Sequence, residues 1–171
     1  MLDMLRKKPL DKIDLMELME EEIRLRNQID RIKKEIDRLE KTKKKKFEEG
    51  IGADKLTKRM LAREIKQLNM QAKLNLGSFE TLHEQHTFVS NLIIIKKHER
   101  QLKETKLWEK LTTIPPEVLE SALIRLQLKG KTYNEILRDL NRVFEVELVE
   151  AEAAEDEDEK RIFEAWKSVE S

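Results

Sequence analysis

The chain has no cysteine, three prolines and four glycines in 171 residues, and aromatics make up 5% of it. The absence of Cys excludes a disulfide-stapled scaffold and any thiolate metal site. So few Pro and Gly supply little of the turn chemistry that sandwiches and barrels need, which argues against strand-rich folds. No apolar run reaches the roughly 18 residues of a membrane-crossing helix. The amino-terminal residues contain no apolar stretch of signal-peptide length, which predicts a cytoplasmic location. Catalytic signatures are missing too. There is no Gly-rich phosphate loop, no His-Glu-x-x-His and no Gly-x-Ser-x-Gly, so the expectation is a protein without enzymatic activity or cofactor.

What is abundant is charge. Charged residues make up 41% of the chain, with 35 Lys/Arg balancing 35 Asp/Glu. The balance hides a gradient. Residues 1–107 carry 26 Lys/Arg against 19 Asp/Glu, and residues 108–171 carry 9 against 16. The basic centre lies at 31–73, with 15 cations against 7 carboxylates, whereas the last 21 residues have a net charge of −5. Such segregation predicts a basic working surface and an acidic tail able to fold back on it. A Lys/Glu/Leu/Ile/Arg-rich chain of this length predicts an all-α protein, as one compact domain or one elongated helical unit.

Hydrophobic periodicity divides the chain. Residues 1–10 form an apolar and basic segment, and Pro9 breaks whatever structure its first eight residues form. A long helix is predicted to open near Asp11 or Asp14, either of which can cap it. Leu15, Leu18, Leu25, Ile29, Ile32, Ile36 and Leu39 alternate by three and four, with Glu22 filling one slot, the seam of a coiled coil. The pair Gly50 and Gly52 predicts a turn near 48–54, and Asp54 can cap the next helix. This second long helix is expected from Asp54 to Lys110, with its seam at Ile65, Leu68, Ala72, Asn75, Phe79, Leu82, His86, Val89 and Ile93. Gly77 and Ser78 are a candidate bend. The two arms together predict a long antiparallel helical hairpin over 11–110.

Short helices are expected over 115–149. Pro115-Pro116 ends the arm and starts a helix over 116–129 that stops at Gly130. Thr132 and Glu135 make a capping box for a helix over 133–149. Residues 150–171 are expected as an acidic linker followed by a short amphipathic helix with Ile162, Phe163, Trp166 and Val169 on one side. That segment has the form of a helix that docks into a protein groove.

The candidate membrane-binding residues are cationic and apolar. Lys41, Lys43, Lys44, Lys45 and Lys46 end the first arm, and Lys55, Lys58 and Arg59 open the second. In the first segment, Met1, Leu2, Met4 and Leu5 can enter a leaflet while Arg6, Lys7 and Lys8 meet headgroups. Each cation near an anionic bilayer contributes about 1 kcal/mol, and a cluster adds many such terms. Nucleic acid answers to the same field, but the basic region has no interleaved aromatics on which single strands stack. The segment from Tyr133 to Asn141 has one Arg and two carboxylates, a poor match to a DNA recognition helix. His83 and His86 lie one turn apart with Glu84 between them, but a seam position beside an exposed neighbour accounts for them without a metal.

The order of these parts resembles the ESCRT-III family of membrane-remodelling proteins, with the phage-shock-protein A group as a relative. Lys58-Arg59-Met60-Leu61-Ala62-Arg63-Glu64-Ile65-Lys66-Gln67-Leu68 is similar to the family's early second-helix pattern, and Leu82 to Leu92 to its continuation. The resemblance implies a monomer that switches between closed and open forms and polymerises into filaments on anionic membranes. It also implies an AAA-type ATPase as partner for the carboxy-terminal segment. The family's docking motif there has a Leu and an Arg-Leu pair, where this chain has Ile162, Phe163 and Trp166. A soluble coiled-coil adaptor or scaffold that binds a protein partner, or a nucleic-acid-binding helical hairpin, is the alternative reading of the same residues.

Overall fold

The computed structural model describes residues 8–170, with the backbone alone described for 147–156. The described residues are helical, without a strand. After a short 3-10 turn at Leu10–Lys12 come α1 (Leu15–Gly50), α2 (Lys55–Lys97), α3 (Glu99–Leu102), α4 (Lys106–Thr113), α5 (Pro116–Ile124) and α6 (Tyr133–Glu170). Residues Met19–Val89 form one compact unit, and the described parts of 8–18 and 90–170 form a second.

In the first unit, α1 and α2 pack against each other in a hairpin-like arrangement. Three contacts record their antiparallel sense. Glu22 Oε1 lies 3.0 Å from His86 Nε2. Lys33 Nζ sits 5.8 Å above the Phe79 ring. Lys46 Nζ donates to Glu64 Oε2 at 2.8 Å. As the α1 position advances, its α2 partner recedes. The inner faces follow the three-and-four spacing. Leu25, Ile29 and Leu39 on α1 are buried. On α2, residues 65, 68, 72, 75, 79, 82 and 86 are half-covered, and most of their neighbours are exposed. Each fully buried aliphatic contributes about 1.5–3 kcal/mol, so a seam this thin holds the pair with few large terms.

Capping sets the helix starts. Asp14, not Asp11, opens α1, because its Oδ1 accepts from the Met16 N–H at 3.1 Å. Asp54 opens α2, and the Thr57 hydroxyl and then backbone N–H groups hold its carboxyl below the usual carboxylate range. Between them Gly52 takes φ +76°, the left-handed conformation that lets so short a loop reverse the chain.

The second arm is shorter than periodicity alone predicts. Helix α2 ends at Lys97, and the expected run to Lys110 is broken at His98 and again at 103–105. Leu102 is the one apolar residue in 98–106, so a straight helix there has no face to bury. Breaking it turns Leu102, Leu107, Trp108 and Leu111 into the core of the second unit. Helix α2 continues through Gly77 and Ser78.

That core also buries Leu10, Ile13, Leu92, Ile95, Leu119, Leu123, Leu128, Ile136, Leu140 and Phe144. Helix α5 packs on α6, and α4 on the 3-10 turn. Two buried polar side chains organise it. The Asn91 amide donates to the carbonyls of Leu123 at 2.6 Å and Leu126 at 3.0 Å. Its oxygen accepts from the Leu128 N–H at 3.2 Å. These bonds satisfy the Leu123 carbonyl in the last turn of α5 and, beyond Ile124, the Leu126 carbonyl and the Leu128 N–H, which lets α5 stop there and not at 129. Lys96 Nζ donates to the Leu10 carbonyl at 3.1 Å and to Glu99 Oε1 at 3.2 Å, tying the 3-10 turn to α2.

The Thr132–Glu135 capping box forms at the start of α6. The Glu135 N–H donates to Thr132 Oγ1 at 3.3 Å, and the Thr132 hydroxyl donates back to Glu135 Oε1 at 2.9 Å. Lys131 bridges to Asp139 beside it. Helix α6 then runs on through 150–159, where the acidic composition predicts a linker. Ala and Glu are among the better helix formers, and no Gly or Pro interrupts the run.

Candidate functional site

The loop-proximal end of the α1–α2 pair gathers the charge. Beyond Leu39 the inner seam of α1 has no further large aliphatic, and half-covered Thr42, Lys43, Lys46 and Gly50 take its place. Lysine stems are long enough to cover apolar surface while their ammonium groups stay in water. Lys43 pairs with Glu40 at 3.6 Å and Lys46 with Glu64 at 2.8 Å. The Glu64 carboxylate also holds the Lys46 ammonium above the usual lysine range. Lys41, Lys44, Lys45, Lys55, Lys58 and Arg59 are exposed or half-covered. The 51–54 reversal therefore brings the predicted cations of both arms to one end of the pair.

Apolar side chains stand among them. Phe47 is 67% exposed, Ile51 71% and Leu56 66%. Phe47 and Ile51, with Leu61, Ala62 and Ile65, line a shallow groove that Lys46 and Lys58 flank. Sequence reasoning missed this cluster. The signal was available: Phe47 and Ile51 stand one residue off the half-covered positions 46 and 50, beside the groove they share with Leu61 and Ile65.

The predicted amino-terminal contacts Met1, Leu2, Met4, Leu5, Arg6 and Lys7 lie outside the described residues. Lys8 is described. It is exposed and bonded to Glu17 at 3.2 Å, in the second unit.

The predicted protein-docking residues lie near the end of α6. Ile162, Phe163, Trp166 and Val169 are all exposed. Phe163 and Trp166 meet edge to face with ring centroids 5.5 Å apart. Exposed Glu157, Asp158, Glu159 and Glu164 share this end of α6 with exposed Lys160, Arg161 and Lys167.

The histidines have ordinary structural partners. His83 stacks on Phe79 at 5.9 Å. His86 meets Glu22 within the seam. His98 lies 3.3 Å from Gln101 Oε1 and near the Tyr133 ring. Among the described residues, no three His, Asp or Glu side chains are placed to hold a metal ion. No helix among them is long and apolar enough to cross a membrane. In comparisons with known proteins, no family profile matches this chain, and neither does any curated protein or solved structure.

Proposed function

We propose that this chain is a peripheral protein of ESCRT-III type, without catalysis of its own, that binds anionic membrane and remodels it by polymerising. One observation carries the reading. The α1–α2 pair, read as an antiparallel coiled-coil hairpin, presents exposed cations of both arms at its loop end, mixed with exposed apolar side chains. Anionic headgroups over a hydrocarbon interior match that chemistry. Polymerisation draws support from the outer face of α2. Met60, Met70 and Leu74 are exposed at 59%, 61% and 73%, on a second three-and-four stripe that runs from Leu56 through Arg63 and Gln67. A second copy can cover such a stripe, and a contact of two different faces propagates.

The test is co-sedimentation with anionic and neutral vesicles, followed by imaging of the pellet. The expected result is binding to anionic vesicles alone, with coats or tubes. A variant with Lys43 to Lys46 all changed to Glu should lose it. Equal binding by that variant would remove the basic end from the reading.

The exposed Phe163–Trp166 pair favours a second reading, a soluble adaptor that docks its α6 end into a protein groove. An AAA-type ATPase is the partner the family resemblance supplies. Under this reading Trp166→Ala abolishes capture of the partner, and the lysine variant leaves it unchanged.

A further inference from the structure

We propose that the α1–α2 loop end is an insertion site. Phe47, Ile51 and Leu56 enter the acyl region of an anionic bilayer, and the surrounding ammonium groups stay at the headgroups. The inference rests on the membrane reading above and goes beyond it, because a basic surface alone requires adsorption and not insertion.

Phe47, Ile51 and Leu56 flank or occupy a four-residue loop, and each is about two-thirds exposed. Scattered apolar residues are ordinary on protein surfaces, but three large ones clustered at one chain reversal mark an interaction site. The reversal sets their placement. Phe47 and Ile51 lie one turn apart across the end of α1, and Leu56 stands in the first turn of α2.

Charge selects the occupant. Residues 41–63 carry nine Lys/Arg against three Asp/Glu. An apolar protein groove would leave most of these cations over uncharged surface. An anionic bilayer supplies both hydrocarbon for the three side chains and phosphate or carboxylate for the ammonium groups. Lysine stems bridge the two depths, since the methylenes lie along apolar surface and the charge stays out. Within that span the carboxylates are Glu48, Glu49 and Asp54, of which Asp54 is already occupied in capping α2, and just outside it Glu40 and Glu64 pair with Lys43 and Lys46, leaving the other cations for the headgroups.

The absence of cysteine allows a site-specific measurement. Ile51→Cys is labelled with an environment-sensitive NBD fluorophore, and Asn69→Cys, exposed and off the outer stripe, serves as the control on α2. Each is mixed with phosphatidylcholine vesicles containing about one-third phosphatidylserine, so that the surface is strongly anionic. Insertion predicts a blue shift and brightening at position 51, quenching there by spin-labelled acyl chains, and neither at position 69. Independently, the triple variant Phe47→Ser, Ile51→Ser and Leu56→Ser keeps every cation. In about 0.5 M salt, where charge attraction is screened, it should bind about tenfold more weakly than the unmodified chain. All three positions are exposed, so circular dichroism should be unchanged.

If the unmodified chain sediments with anionic vesicles while position 51 keeps its aqueous spectrum and the triple variant binds equally, the insertion is wrong and surface adsorption stands. That outcome would return the apolar cluster to a protein partner. If the unmodified chain does not sediment with these vesicles, insertion and membrane reading fall together.

Discussion

The amide of Asn91 serves three backbone groups at once, the carbonyls of Leu123 and Leu126 and the N–H of Leu128. Removing it leaves all three short of a partner in a dry core, and a buried unmet group costs about 1–3 kcal/mol. Asn91→Ala should therefore destabilise the fold by about 2–4 kcal/mol, read as a lowered urea midpoint. Asn91→Asp keeps the acceptor for Leu128 but loses both donors, and places a carboxylate against two carbonyls. It should be at least as damaging. If both variants unfold like the unmodified chain, the loop after α5 does not depend on this residue. Lys96 acts similarly at the other edge of the core, where its side chain is 5% exposed. Lys96→Met keeps the stem and deletes the ammonium, so the Leu10 carbonyl loses its donor. The expected sign is faster amide exchange over residues 10–13, with the α5–α6 contact unaffected.

At the scale of elements, two helix starts depend on ionised carboxylates. The Thr57 hydroxyl and backbone N–H groups lower the Asp54 pKa. The Thr132 hydroxyl, then its N–H, does the same for Glu135. A carboxyl with a lowered folded pKa binds fewer protons in the folded state. Its contribution is full above the ordinary carboxylate value and is lost as the pH falls through the lower folded value. Acid titration of the Asp54→Asn variant should therefore show a shallower fall in stability below about pH 4 than the unmodified chain shows. Identical acid limbs would mean that Asp54 does not contribute through its charge.

The same elements explain what could be read from the residues. Caps and seams are local: Asp54, Gly52, the Thr132–Glu135 box and the three-and-four rows of α1 and α2 are all set by neighbours within a turn or two. The breaks at 98 and 103–105 and the early stop at Ile124 are not local. The stop depends on an amide 32 residues upstream, and the breaks on where Leu107, Trp108 and Leu111 find a core. Asn91 was visible as the lone amide in the apolar run from Val89 to Ile95, but its partners were not. The linker expected at 150–159 fails for the opposite reason: the charge density there suggests a linker, but the local helical propensity of Ala and Glu decides the outcome. For the site, the cations were legible as a run. The exposure of Phe47 and Ile51 became legible only once the inner register was fixed through Lys46 and Gly50.

For the whole molecule, the polymerisation proposed above places the exposed outer stripe of α2 between copies, so the state of association should depend on concentration. Met70→Glu combined with Leu74→Glu removes two apolar contacts and adds like charges. Sedimentation velocity across a concentration series should show the unmodified chain shifting to larger species and the double variant remaining the smallest one. Matching profiles would clear this stripe of a role between copies. The variant should keep its helix content, because neither side chain is covered in the monomer.

The two tryptophans report on opposite conditions. Trp108 is 9% exposed, packed in the core of its unit, and Trp166 is 58% exposed on α6. Intrinsic emission is thus a blue component from one indole overlaid on a red component from the other. A quencher such as iodide should reach only the red component while the fold is intact. Docking of the α6 end would shield the red component and leave the blue one alone, whereas loss of the core would shift the blue one first. The chain carries its own two-colour indicator, able to separate engagement from unfolding without a label.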